Sequence, residues 1–70
     1  MAMIARMTIE ALDEGDPNRG VPCQEGDCGR ASQYRAVYVI DEGGAQREGR
    51  RLLCPTHASA LARREGVALP

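Results

Sequence analysis

The chain has 70 residues and a mass of 7.6 kDa, about half of the ~150 residues that serve as a one-domain prior, so it reads as one small domain with no room for a second, catalytic one. Strong core formers are scarce: Val, Ile and Leu together number 12, Phe and Trp are absent, and much of the 43% hydrophobic content is ten alanines, so a core alone would supply only about 3–5 kcal/mol. Nine basic residues against ten acidic ones leave a net charge of −1, which excludes the charge-driven disordered class and makes a metal or an oligomer the expected staple.

In chain order, Met1–Glu14 has apolar residues at 3, 4, 7, 11 and 12, which fit one helical face, while Met7–Leu12 alternates like a strand; both types remain open. This segment is expected to cover the apolar surface of the remainder, with self-association through Met3, Ile4, Met7, Ile9 and Leu12 as the alternative. Gly15–Gly20, with Asp16, Pro17 and Asn18 inside it, reads as a linker, because Pro17 fixes φ and the glycines permit unusual backbone angles. Cys23–Gly29 is a tight polar loop with two glycines. Gln33–Asp41 is β-branched and aromatic, Gly43-Gly44 supplies the positive φ of a tight hairpin turn, and a second strand is expected over Arg47–Leu53. Cys54 then stands at an N-cap position, Pro55 suits the first helical position, and Thr56–Glu65 is alanine- and leucine-rich. Arg63 and Arg64 fall in the last turn and Gly66 at the stop. Ala58, Leu61 and Ala62 form the stripe that should pack on the hairpin. The organisation expected is residues 1–20 as N-terminal segment and linker, 21–66 as the folded metal domain, and 67–70 as a tail.

Three cysteines cannot pair completely, and Arg6 and Glu10 interrupt the N-terminal segment too early for an export signal. No apolar run approaches the ~18 residues of a membrane span, so a cytoplasmic location with reduced thiols is expected. Charge divides along the chain. Residues 1–29 carry two arginines against six acids, residues 30–70 seven arginines against four, and every basic residue is Arg. Such asymmetry either marks an interaction face or lets the halves attract each other.

Cys23-x4-Cys28 and Cys54-x2-His57 are two short-spaced ligand pairs separated by 25 residues that should fold as a hairpin. Together they consume every cysteine and the only histidine. A Cys3His set suits one Zn²⁺ per chain, since thiolate and imidazole satisfy a tetrahedral ion at about 2.0–2.3 Å. Gly26 and Gly29 are expected to free the first loop so that its N–H groups turn toward sulfur, and the second pair lies at a helix N-terminus whose dipole favours thiolate. Four protein ligands close the site to metal-activated water, and three cysteines suit zinc better than an iron–sulfur cluster. A Cys54/His57 nucleophile lacks an evident third group or oxyanion site, so no catalytic residue is assigned.

A cysteine pair with a following glycine, a hairpin and a ligand pair opening a helix resembles a treble-clef zinc finger. Leu53-Cys54-Pro55-Thr56-His57-Ala58 is similar to the closing half of small bacterial zinc-ribbon-like proteins. The resemblance covers Pro22 to Gly66 and implies a small α+β metal-stabilised domain with Cys23 and Cys28 on the knuckle and Cys54 and His57 on the helix. The x4 loop departs from the usual x2 knuckle. Nuclease versions of the fold need further catalytic His or Asn residues, and His57 is the only histidine, so no enzyme is expected.

Tyr34, Ala36, Tyr38 and Ile40 should share one strand face, opposite Arg35, Val37 and Val39. The tyrosines serve either as core or as a stacking platform. Arg47, Arg50, Arg51, Arg63 and Arg64 can gather on the sheet and helix end, where guanidinium groups engage phosphates or acidic protein surfaces equally well. A sequence pI of about 5.7 lacks the usual footprint of nucleic-acid binding. The expected function is therefore a non-enzymatic zinc finger that binds a protein partner; the alternative is a nucleic-acid-binding regulator using Tyr38 and these arginines.

Overall fold

A computed structural model describes residues 2–26 and 28–70. Met1 and Asp27, which the sequence reading puts in the N-terminal segment and the Cys23–Gly29 loop, lie outside the described residues. The elements are strand β1 (Ala2–Ala11), strand β2 (Tyr34–Glu42), strand β3 (Ala45–Leu53) and helix α1 (Pro55–Glu65). They build an antiparallel sheet of order β1-β2-β3 with the helix packed across one face, a small α+β architecture.

The N-terminal segment takes the strand alternative. It pairs with β2 along its whole length, Ala2 opposite Glu42 and Ala11 opposite Tyr34, with a register shift between Ile4 and Arg6. Period-two alternation prevails over the helical spacing because β2 offers a complete row of partners, which puts Met7 and Ile9 on the same face as Tyr38 and Ala36. Gly15–Gly20 is a tightly bonded turn. Asp16 accepts the Asn18 and Arg19 backbone amides through its side chain and carbonyl, and the Gly20 amide donates to Ser32.

Gly43 and Gly44 have φ of 59° and 92°, the signature of a two-residue type I′ turn whose hand matches the twist of the strands. Glu42 opposes Ala45, so β3 starts two residues before the expected Arg47. At the other end of the hairpin, Leu53 leads directly into the helix. Pro55 occupies the first turn, and Gly66 at φ 67° closes the helix, with Gly66 and Val67 both donating to the Ala62 carbonyl.

The core sits at the Leu53 end of the sheet. Ile9, Cys23, Ala36, Leu53, Cys54, Ala58 and Ala62 form one buried cluster, with Tyr34, Leu61 and Val67 half-buried against it. Three of these seven are alanines, which lets the helix backbone approach the sheet closely. Of the expected helix stripe, Ala58 and Ala62 are fully covered whereas Leu61 lies at the rim. Further along the same face Tyr38 lies across Gly49: a Cβ built on Gly49 would stand 2.3 Å from Cε2 of that ring. Glycine is needed there because the ring occupies the space of a side chain.

Candidate metal centre

Two elements converge on one point. The first is a narrow hairpin of loop: Cys23 donates its amide to the Arg30 carbonyl, Ser32 donates to Val21, and Pro22 bridges Ala31. At its tip Gly26 takes φ 58° and the Cys28 amide donates to the Glu25 carbonyl. Gly26 therefore takes the unusual backbone angle expected of it, while Gly29 stays outside the left-handed region. The hairpin docks on the outer edge of β3, where Gln24 donates its amide to the Leu52 carbonyl and accepts the Leu52 amide on its side-chain oxygen. Arg51 reaches Glu25 at 3.1 Å, and Arg30 donates to the Thr56 hydroxyl.

The second element is the start of α1. Cys54 holds the cap position at φ −72° and ψ 164°, and the first turn contains no acid. A thiolate at Cys54 supplies the negative charge that a helix N-terminus attracts. His57 follows three residues later, so both point off the same end of the helix.

The four donor atoms of Cys23, Cys28, Cys54 and His57 lie within 4.8 Å of one another. Sγ of Cys28 is 3.8 Å from Sγ of Cys54, and Nδ1 of His57 is 3.5 Å from Sγ of Cys23 and 3.4 Å from Sγ of Cys54. A tetrahedral ion with metal–sulfur bonds near 2.3 Å and metal–nitrogen bonds near 2.05 Å has edges of about 3.8 Å between sulfurs and about 3.6 Å between sulfur and nitrogen. These three separations match those edges, and the remaining pairs lie within 4.8 Å. They exclude a disulfide, whose sulfurs stand about 2.05 Å apart, and all three cysteines are free. This set fits a metal ion held by Cys3His.

The environment separates the thiols. Burial pushes the Cys54 thiol up, but the His57 backbone amide, the Cys28 and Cys23 thiols and the His57 ring outweigh it and hold the group down at about 7. For Cys28 the Arg30 backbone acts to lower the thiol, while burial and the neighbouring Cys54 and Cys23 sulfurs push it up more strongly, so it is raised. One thiolate is favoured and its neighbour then resists ionising; a cation inside the cluster removes that conflict.

Of the other residues singled out in the sequence, Tyr38, Arg51 and Arg64 line one cleft, whereas Arg50 faces the opposite side of the sheet. Arg47 and Arg51 point to the helix side of the sheet and Arg50 to the opposite side, as the register with Ile40, Ala36 and Val37 requires. Each is already paired within the chain: Arg47 with Glu42, Arg50 with Glu48 at 2.6 Å, Arg51 with Glu25. Alternation along the strand divides the expected arginine cluster. Arg63 and Arg64 are exposed at the helix end and make no ion pair among the described residues. Tyr34 is half-buried against the core, and Tyr38 lines a cleft of about 210 Å³ with Ile4, Met7, Leu61, Arg51 and Arg64. The sequence reading missed Gln24, whose paired bonds fix the knuckle to β3; a lone glutamine carries no signal of such a role. Among the described residues no helix is long and apolar enough to cross a membrane.

Comparison with protein families, with characterised proteins and with solved structures finds no match to this chain. The metal centre therefore rests on its own geometry.

Proposed function

We propose that the chain is a non-enzymatic zinc module of treble-clef type whose surface binds a protein partner. The observation that carries this reading is the Cys3His cluster at tetrahedral spacing, with one ligand pair from a loop hairpin and the other from the start of a helix. Zinc is favoured because thiolate and imidazole donors in a four-coordinate set suit it. Four protein donors leave no position for substrate, which supports a structural rather than a catalytic ion.

A protein partner is favoured over nucleic acid by the charge arrangement. The β3 arginines are neutralised by Glu42, Glu48 and Glu25, and they face opposite sides of the sheet, so no basic stripe tracks a phosphate backbone. The helix-side cleft instead combines apolar Ile4, Met7, Ala36, Tyr38 and Leu61 with charges of both signs, Glu25, Arg51, Arg64 and Glu65, a mixture that suits a protein surface better than a phosphate backbone.

The test is elemental analysis with thiol titration. One zinc per chain with three protected thiols is expected, and Cys28→Ser should lose both the metal and chemical-shift dispersion, since the metal supplies about 10–16 kcal/mol in finger peptides. Dispersed spectra from metal-free Cys28→Ser would refute the structural role. Oligonucleotide binding that weakens steeply with salt would favour the nucleic-acid alternative.

A further inference from the structure

The sheet has two edges, and they are treated differently. The outer edge of β3 is capped at Leu52 by Gln24 and carries Gln46, Glu48 and Arg50 beyond it. Charge and capping of this kind block further strand pairing. The outer edge of β1 also carries charges, Arg6 and Glu10, but no loop caps it among the described residues.

Residues of an antiparallel strand alternate between those whose amide and carbonyl point into the pair and those whose groups point away. Leu12 donates its amide to the carbonyl of Gln33, the residue before β2. Counting back by twos, Glu10, Thr8 and Arg6 turn their backbone groups inward, and Ala11, Ile9 and Met7 turn theirs outward. None of these outward groups has a backbone partner among the described residues outside the sheet. Alongside this edge runs an open slot of about 510 Å³ between Met7, Thr8 and Ile9 on one side and Val67, Leu69 and Pro70 on the other. Leu69, 39% exposed, lines the slot, and Met3 at 66% and Ile4 at 50% stand exposed nearer the start of β1.

We infer that β1 pairs antiparallel with β1 of a second copy of this chain, Thr8 facing Thr8 on the two-fold axis, to join two three-stranded sheets into one. The occupant and the register follow from the strand itself. Outward groups at odd positions allow only registers in which odd residues meet odd residues. Among these, centring on Thr8 sets Arg6 against Glu10 of the other copy, twice by symmetry, and sets Met7 against Ile9 on the helix side. Centring on Met7 or Ile9 pairs neither charge. Glu10 is prepared for this contact: both Arg35 N–H bonds, at 2.7 and 3.1 Å, fall on Oε2, while Oε1 has no partner among the described residues. Arg6 is exposed and forms no ion pair among the described residues. The irregularity between Ile4 and Arg6 ends the ladder at one side and, through the symmetry, at the other, so Arg6–Glu10 is the paired stretch. Met7 and Ile9 side chains of the incoming strand would meet Val67 and Leu69 across the slot. This contact goes beyond the zinc-module reading and stands on strand geometry alone.

The experiment uses the full metal-loaded chain in sedimentation velocity and light scattering across a concentration series. The parent should reach twice the 7.6 kDa chain mass. Arg6→Glu, which faces Glu10 of the other copy with a like charge, should remain at chain mass while keeping its circular dichroism and metal content. Thr8→Cys should cross-link under mild oxidation, because non-hydrogen-bonded partners stand about 4.5 Å apart at Cα, within disulfide range. Arg6→Cys, distant from its own copy, should not. A parent that stays monomeric into the hundreds of micromolar, a dimeric Arg6→Glu, or equal cross-linking of the two cysteine variants would each overturn the proposal.

Discussion

Leu53→Ala is the sharpest probe of how metal and core depend on each other. Leu53 is 1% exposed and is among the largest fully buried side chains of the chain; it precedes the ligand Cys54 and packs among Ile9, Ala36, Ala58 and Ala62. Alanine neighbours have no longer side chain to swing into the vacated space, so the cavity should persist. Leu→Ala changes at such sites cost about 3–4 kcal/mol. If, as proposed, the metal's binding energy is also folding energy, that loss appears as metal affinity, and at about 1.4 kcal/mol per decade it amounts to two to three orders of magnitude. Competitive chelator titration reads it directly. Leu52→Ala is the control: Leu52 is only half-buried, on the other face of the strand. An affinity for Leu53→Ala within about threefold of the parent would refute the coupling of core and site.

Three further expectations concern single groups. The Ser32 hydroxyl is completely buried without a hydrogen-bond partner among the described residues; an orphaned hydroxyl costs about 1–3 kcal/mol, so Ser32→Ala should leave the melting temperature unchanged or raise it, and a large fall would reveal a hidden partner. Gly49→Ala should destabilise the parent by about 1–2 kcal/mol through displacement of the Tyr38 ring, yet be neutral or stabilising in a Tyr38→Ala background; equal effects in both would place the ring elsewhere. Because the Cys54 thiol is held at about 7, it is ionised above that pH and protonated below it. Metal affinity should therefore steepen on acidification, gaining about one unit of slope in log affinity per pH unit once Cys54 also has to lose a proton. A constant slope through neutrality, measured by chelator competition, would refute the lowered thiol.

The Cys3His cluster was legible in the sequence because short spacings fix local geometry: Cys54 and His57 are three apart at the start of a helix, and Cys23 and Cys28 close a small loop. The hairpin and the helix stop were legible for the same reason, since Gly43-Gly44 and Gly66 carry their own conformational demand. What stayed ambiguous depended on a distant partner. Met1–Glu14 satisfied two periods at once, and only β2, more than twenty residues on, selects the strand. The arginines misled because proximity in sequence says nothing about the side of the sheet: Arg50 and Arg51 are adjacent and face opposite ways. Their acidic partners, Glu48 and Glu25, lie two residues and 26 residues away, and only the nearer one is visible in a local window.

Helix α1 has 11 residues and the strands of the hairpin have nine each, so the helix extends about 16 Å while the strands run about 30 Å. About half of the hairpin therefore has no helix above it. Amide protons should record this as a gradient of opening free energies along a single ladder. Those near Ala36 and Leu53 should exchange only when the metal end comes apart, and those near Gly43-Gly44 through frequent local fraying. Removing the metal would then flatten the gradient from its protected end. The tip of the hairpin, already close to its unfolded rate, would hardly change.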